Sequence, residues 1–143
     1  MKISTGAIIT KNNKYLLQKR DNKKSIYFPG FWGVFGGTIN KGETVESCMI
    51  REIKEETNLK VSIKRKIIEK KFTSREFKEI RKRVYFECKN SSNSQFILSE
   101  GSDYKYFTID QIKNLNIIPW DLEAICYHNL IYIKKIKILP KKK

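Results

Sequence analysis

The chain has 143 residues, and its 30 Lys and Arg against 15 Asp and Glu give a formal net charge of +15. The length suffices for one domain with a buried core, and no segment approaches the ~18–20 uninterrupted apolar residues of a membrane span. Three dispersed cysteines, a single histidine and no signal-peptide pattern argue against a disulfide framework and a zinc cluster. We therefore expect one cytoplasmic domain over residues 1–143.

The apolar pattern predicts both strands and helices. Period-two alternation indicates strands, and a 3.6-residue period indicates helices. Because these elements mix without strict βαβ alternation, we expect an α/β (α+β) fold with a mixed sheet packed between helices. The predicted strands are residues 3–10, 14–19, 33–37, 60–72, 79–89 and 103–109; the predicted helices are 44–57, 110–115 (capped by Asp110) and 120–135.

The helix predicted over residues 44–57 carries three glutamates that extend its apolar stripe. At about 100° per residue, Glu52, Glu55 and Glu56 follow the face on which Met49 lies. Like charges ~4 Å apart repel by roughly 4 kcal/mol at an effective dielectric of 20, so a cation or a proton must neutralise them. Oxygen ligands favour Mg²⁺, with Mn²⁺ as a substitute. Surface ion pairs with nearby lysines are the alternative.

A glycine pair precedes this helix. Gly36 and Gly37 allow the backbone to approach a ligand closely, and the amides at a helix start favour anions. A phosphate-binding loop beside a carboxylate–metal cluster indicates chemistry on a phosphoryl group.

From Gly37 to Leu59 the chain reads G-x5-E-x7-R-E-I-K-E-E-T-N-L. This 23-residue stretch resembles the signature of the Nudix hydrolases, G-x5-E-x7-R-E-U-x-E-E-x-G-U with U aliphatic, at every specified position but one. The exception is Asn58, which stands where the family has glycine. Asparagine tolerates the left-handed backbone that ends a helix, so we expect the chemistry to be intact. The resemblance implies one Nudix domain, with a mixed sheet sandwiched between helices.

The resemblance also implies roles for the motif residues. Glu55 and Glu56 correspond to the main metal ligands, helped by the backbone carbonyl of Gly36. Glu52 corresponds to a further ligand or to the base that activates water, and the sequence does not choose between them.

Two other acidic residues and one arginine are implicated by the resemblance. Arg51 and Glu43 resemble the family pair that orients the helix and the loop. Glu100, in a later loop, corresponds to an additional metal ligand or base, although an exposed loop acid is equally consistent with its position.

Four residues are candidates for contact with the substrate. Gly37 belongs to the phosphate loop, and Arg20 ends a predicted strand from which it can reach phosphates or simply face solvent. Trp32 can stack on a base or pack in the core. Asp121 can accept hydrogen bonds from guanine, or complement the first turn of the last helix.

Glu100 before Gly101, followed by Tyr106 and Phe107, resembles the mutator-type branch of the family. The resemblance implies a Mg²⁺-dependent pyrophosphohydrolase acting on a nucleoside diphosphate linked to another group, most readily a (d)NTP or an oxidised (d)NTP. The alternatives are a nucleotide-sugar or ADP-ribose hydrolase, and a non-catalytic module that binds a nucleotide or RNA. The scattered lysines favour small anionic substrates over dedicated nucleic acid binding. We expect no membrane association, and a monomer or a homodimer.

Overall fold

The computed structural model describes residues 1–22, 28–74, 78–91, 93–99 and 101–135, with Ser74 described by its backbone alone. Within these residues, seven strands and three α-helices form a mixed α/β fold, which confirms the predicted fold class. The strands are β1 Lys2–Ile8, β2 Thr10–Lys11, β3 Lys14–Lys19, β4 Trp32–Gly33, β5 Val61–Ser74, β6 Glu79–Asn90 and β7 Asp103–Phe107; the helices are α1 Val45–Thr57, α2 Ile109–Ile112 and α3 Pro119–His128, which a π-helical segment continues over Asn129–Ile133.

The strands form two sheets. In the first, the order is β1-β6-β5, with β1 parallel and β5 antiparallel to β6; in the second, β3 pairs with β2, β4 and β7. The glycine loop follows the free side of β1, because the amide of Thr5 donates to the carbonyl of Gly37 at 2.9 Å. This pairing fixes the loop beside the first sheet.

Two buried clusters hold these layers together. Met49 and Ile53 of α1 pack into one cluster with apolar side chains of the first sheet, and Ile125 of α3 belongs to the other. Because α1 buries its apolar face, the position of its carboxylates relative to the sheet is fixed. No helix among the described residues is both long and apolar enough to cross a membrane.

Some element boundaries differ from the prediction. The strand expected over residues 33–37 is only Trp32–Gly33, and the rest of that segment pairs with β1 as a loop. Asp110 is not a cap: Thr108 caps α2 and forms a capping box with Gln111, because only Thr108 lies where its hydroxyl can accept the Gln111 amide. The single closing helix expected over residues 120–135 is instead α3 followed by the π-helical segment.

The end of α1 agrees with the sequence. Asn58 adopts the left-handed conformation, with φ of 65°, and its amide donates to the carbonyl of Lys54 at 3.0 Å. The prediction that asparagine replaces a helix-ending glycine is confirmed.

Candidate active site

The three glutamates near the end of α1 have different environments. The side chain of Glu55 is 58% exposed and that of Glu52 is 17% exposed, whereas Glu56 is 3% exposed. Glu56 lies toward the second sheet, where the amide nitrogen of Gln18 donates to its carboxylate at 3.4 Å. The exposure of Glu52 is therefore intermediate between that of Glu55, which faces solvent, and that of Glu56, which is buried.

Arg51 connects the helix to the preceding loop. Its Nε and Nη2 donate to the two carboxylate oxygens of Glu43 at 2.7 and 2.9 Å. Its Nη1 donates to Glu52 at 2.9 Å and to Glu55 at 3.1 Å. The hydrogen bonds from Arg51, together with one from the amide of Asn40, lower the pKa of Glu43 to about 2. The predicted Arg51–Glu43 pair is thus present as a bidentate ion pair.

The two glycines sit where a side chain has no space. A Cβ at Gly37 would lie 2.5 Å from both carboxylate oxygens of Glu52, and one at Gly36 would lie 1.9 Å from the carbonyl oxygen of Thr5. The loop therefore touches the carboxylate of α1 on one side and β1 on the other. This is the close backbone approach that the glycine pair predicts.

A cavity of about 340 Å³ opens beside this loop. Its wall combines the glycine loop and Glu52 with arginines and aromatic rings. The ring of Phe72 stacks on that of Trp120, with centroids 3.9 Å apart, and Phe28 meets Trp120 edge-on at 5.1 Å. The lining residues are Ser4, Arg20, Phe28, Gly36, Gly37, Thr38, Glu52, Phe72, Arg81, Arg83, Ile118 and Trp120.

The cavity contains some of the predicted substrate-contacting residues and not others. Arg20 and Gly37 line it. Trp32 does not line the cavity. Its ring packs edge-on against that of Phe107, with centroids 4.9 Å apart, in the buried cluster that also contains Ile125. This is the core position that the sequence left open as an alternative to base stacking. Asp121 lies in the first turn of α3 and is fully buried. Glu100 lies outside the described residues.

Sequence reasoning missed the other side chains of the cavity wall. Arg81 and Arg83 alternate on β6, so their i, i+2 spacing on a predicted strand was the available signal that they share a face. The aromatic residues Phe28, Phe72 and Trp120 come from three separate segments, and no local pattern brings them together.

The donor atoms around α1 are of the chemical kind that a hard divalent cation prefers, but they are not gathered around one point. The carboxylates of Glu52, Glu55 and Glu56 and the carbonyl of Gly36 offer oxygen atoms only, as Mg²⁺ prefers. The expected convergence of the three carboxylates is not found: the part of the chain that the structure describes holds no group of three Asp, Glu, His or Cys side chains arranged for a metal ion. Instead Arg51 is the cation between Glu52 and Glu55.

The glycine loop, a carboxylate of α1, arginines and aromatic rings thus meet around one cavity. A family model described as the NUDIX domain matches residues 1–127, and the chain belongs to this family. The resemblance seen in the sequence is thereby confirmed.

Two curated relatives match the chain over part of its length. The ADP-ribose pyrophosphatase of Methanocaldococcus jannaschii is 45% identical over 62 residues, which cover 43% of this chain and 35% of the relative. The nucleoside triphosphatase NudI of Enterobacter sp. strain 638 is 41% identical over 56 residues, which cover 39% of each chain. The match thus spans less than two thirds of either relative.

Solved structures share the fold over nearly the whole chain. The solution structure of the E. coli ORF135 protein has a TM-score of 0.78 at 16% identity, covering 96% of this chain and 95% of that one. The MutT protein of Methanosarcina mazei Go1 has a TM-score of 0.74 at 20% identity, covering 92% and 95%. At these identities the comparison establishes the fold alone.

Proposed function

We propose that the protein is a Mg²⁺-dependent pyrophosphohydrolase that cleaves a nucleoside diphosphate linked to another group, with a (d)NTP or an oxidised (d)NTP as substrate. The observation that carries the proposal is the cavity in which Glu52 and the glycine loop meet arginines and aromatic rings. Arginine donors suit phosphate oxygens, and aromatic faces suit a nucleobase.

Each part of the cavity has a proposed task. Glu55, Glu56 and the carbonyl of Gly36 would hold Mg²⁺, which when bound neutralises phosphate charge and polarises the phosphoryl group. Glu52 is the helix carboxylate that lines the cavity, and we assign it the proton of the attacking water. Arg51 orients Glu52 through the 2.9 Å hydrogen bond from its Nη1.

The number of cationic side chains supports a substrate rich in phosphate. Arg20, Arg81 and Arg83 line one cavity, so the site suits a triphosphate well. The relative named nucleoside triphosphatase NudI agrees with this choice, whereas the relative named ADP-ribose pyrophosphatase supports the alternative of a nucleotide-sugar or ADP-ribose substrate.

A substrate panel tests the proposal. Hydrolysis of (d)NTPs, oxidised (d)NTPs, ADP-ribose and nucleotide sugars is followed by released phosphate and pyrophosphate, with Mg²⁺, with Mn²⁺ and with EDTA. We expect the highest kcat/KM with a triphosphate and no turnover in EDTA. Preference for ADP-ribose would favour the alternative, and no turnover of any compound together with nucleotide binding would favour a non-catalytic module.

Matched variants test the roles proposed for Glu52, as the base, and Glu56, as a metal ligand. Glu52→Gln and Glu56→Gln each remove one negative charge from the proposed site, and we expect each to lower kcat by at least ~100-fold. Glu46→Gln is the control, because Glu46 is exposed in the first turn of the same helix. Turnover close to wild type in Glu56→Gln would refute its role as a metal ligand.

A further inference from the structure

Asp121 is a buried carboxylate with partners inside the protein. It is 0% exposed, and it is absent from the cavity lining. The amide of Val34 donates to Oδ2 at 3.0 Å, the hydroxyl of Tyr85 donates to Oδ1, and Nε of Arg83 lies 3.1 Å from Oδ1. A Cβ at Gly33 would come within 2.9 Å of Oδ2, so the carboxylate is enclosed on that side too. Asp121 therefore has no open path to a base in the cavity.

Arg83 is the partner of Asp121 that does reach the cavity. Its side chain is 14% exposed and lines the cavity wall. Nη2 donates to the carbonyl of Val34 at 3.4 Å, and the guanidinium carbon lies 5.5 Å from the centre of the Tyr85 ring. A Cβ at Gly6 would lie 3.0 Å from Nε of Arg83, so β1 confines the side chain from the other side.

This packing leaves Arg83 with donors for an anion. A guanidinium has five N–H donors; the hydrogen bond to Val34 uses one of them, and Nε, although 3.1 Å from Asp121, makes no hydrogen bond. Burial alone would lower the pKa of Arg83, but Asp121 and other nearby acidic groups raise it above its ordinary value, so the cation persists at neutral pH. The same cavity wall contains Gly36, Gly37 and Glu52, at which the reacting phosphate is proposed to lie.

We infer that Arg83 binds a phosphate group of the substrate and that Asp121 is its positioning residue, not a residue that reads the base. The inference rests on the proposed function. The buried carboxylate attracts the guanidinium as an ion pair, with Nε 3.1 Å from Oδ1 but not hydrogen-bonded to it, and so keeps Arg83 beside α3 and limits the directions in which its donors point. Asp121→Asn would leave the shape of the side chain nearly unchanged but remove the negative charge that attracts Arg83.

A double-mutant cycle tests this coupling. The affinity for inorganic tripolyphosphate is measured by calorimetry without added metal, and kcat and KM are measured for purine and pyrimidine triphosphates. We expect Arg83→Gln and Asp121→Asn each to weaken tripolyphosphate binding about tenfold. The double variant should bind about as weakly as either single variant, since both changes remove the same interaction. The ratios of kcat/KM between bases should stay as in the wild type.

Further variants distinguish a loss of tripolyphosphate binding from a loss of folding. Tyr85→Phe removes one hydrogen bond to Asp121 and keeps every charge, so a smaller loss of tripolyphosphate affinity is expected there. Arg83→Lys keeps the charge without the planar fork, and a loss of affinity is expected there too. Lys14→Gln, which removes an exposed charge outside the cavity, is the control for non-specific attraction. Thermal melting shows which variants are folded.

Three results would overturn the inference. These are unchanged tripolyphosphate affinity in folded Arg83→Gln and Arg83→Lys, additive losses in the double variant, or a change in base preference caused by Asp121→Asn alone. The proposed function fails separately, if the wild-type protein hydrolyses no nucleotide while the tripolyphosphate results stand.

Discussion

Gly37→Ala should separate catalysis from stability. The added methyl carbon would lie 2.3 Å from Cδ of Glu52 and 2.5 Å from each carboxylate oxygen, whereas ordinary contacts begin near 3.4 Å. The carboxylate must therefore move by about 1 Å. Because it is the far end of a flexible side chain, the movement costs little folding energy. A displacement of this size at a reacting group can cost ~100-fold in rate, so we expect kcat/KM to fall by about that factor.

Gly36→Ala is the matched comparison one residue away. Here the methyl carbon would lie 1.9 Å from the backbone carbonyl oxygen of Thr5, which cannot swing aside, so the loop must separate from β1. We expect a clear loss of thermal stability, in contrast to Gly37→Ala. The assay pairs kcat/KM on the best substrate of the panel with melting followed by circular dichroism.

Two results would contradict the expected effect of Gly37→Ala. If Gly37→Ala keeps kcat/KM near the wild-type value, the position of Glu52 does not control the reaction. If it melts as early as Gly36→Ala, the loss of activity reports unfolding, and the contact between Gly37 and Glu52 is structural only.

Three further predictions concern the end of α1, a buried histidine and the net charge. Asn58→Gly should leave the melting temperature nearly unchanged, and Asn58→Val should cost about 1 kcal/mol or more, because Asn58 has φ of 65°; equal melting temperatures would contradict this. Burial lowers the pKa of His128, against the opposing effect of the hydrogen bond that its Nε2 donates to Glu87, so the unfolded state binds the proton more readily. The free energy of unfolding should then fall as the pH drops below about 6.5, and in His128→Gln it should depend less on pH in that range. If the pH dependence of His128→Gln equals that of the wild type, another group causes the acid sensitivity. If the +15 net charge mainly attracts small anions, kcat/KM should fall with added salt while duplex DNA binds weakly; tight, sequence-selective binding at physiological salt would favour a nucleic acid partner.

The sequence predicted what depends on local spacing. The period of 3.6 residues placed Glu52, Glu55 and Glu56 on one helix, and the preference of asparagine for left-handed backbone located the helix end at Asn58. The pairing of Arg51 with Glu43 also followed from the motif, because both residues belong to one continuous segment.

Other features depended on which segments meet in space. The spacing of the glutamates gave no warning that Glu56 would be buried beside Gln18 while Glu55 stayed exposed, since that difference is set by the sheet against which α1 packs. The cap of α2 was misassigned to Asp110 because Thr108 and Asp110 are both good capping residues, and only the backbone geometry selects between them.

The cavity wall shows most clearly the difference between features that depend on local spacing and features that depend on tertiary packing. Arg83 and Asp121 are 38 positions apart in the sequence, yet Nε of Arg83 lies 3.1 Å from Oδ1 of Asp121, and a Cβ at position 33 would come within 2.9 Å of the same carboxylate. From the sequence, Asp121 was either a base contact or a first-turn acid. Its burial among donors from β6 and residue 34 was decided only by tertiary packing, because a carboxylate removed from water must find its partners wherever the fold places them.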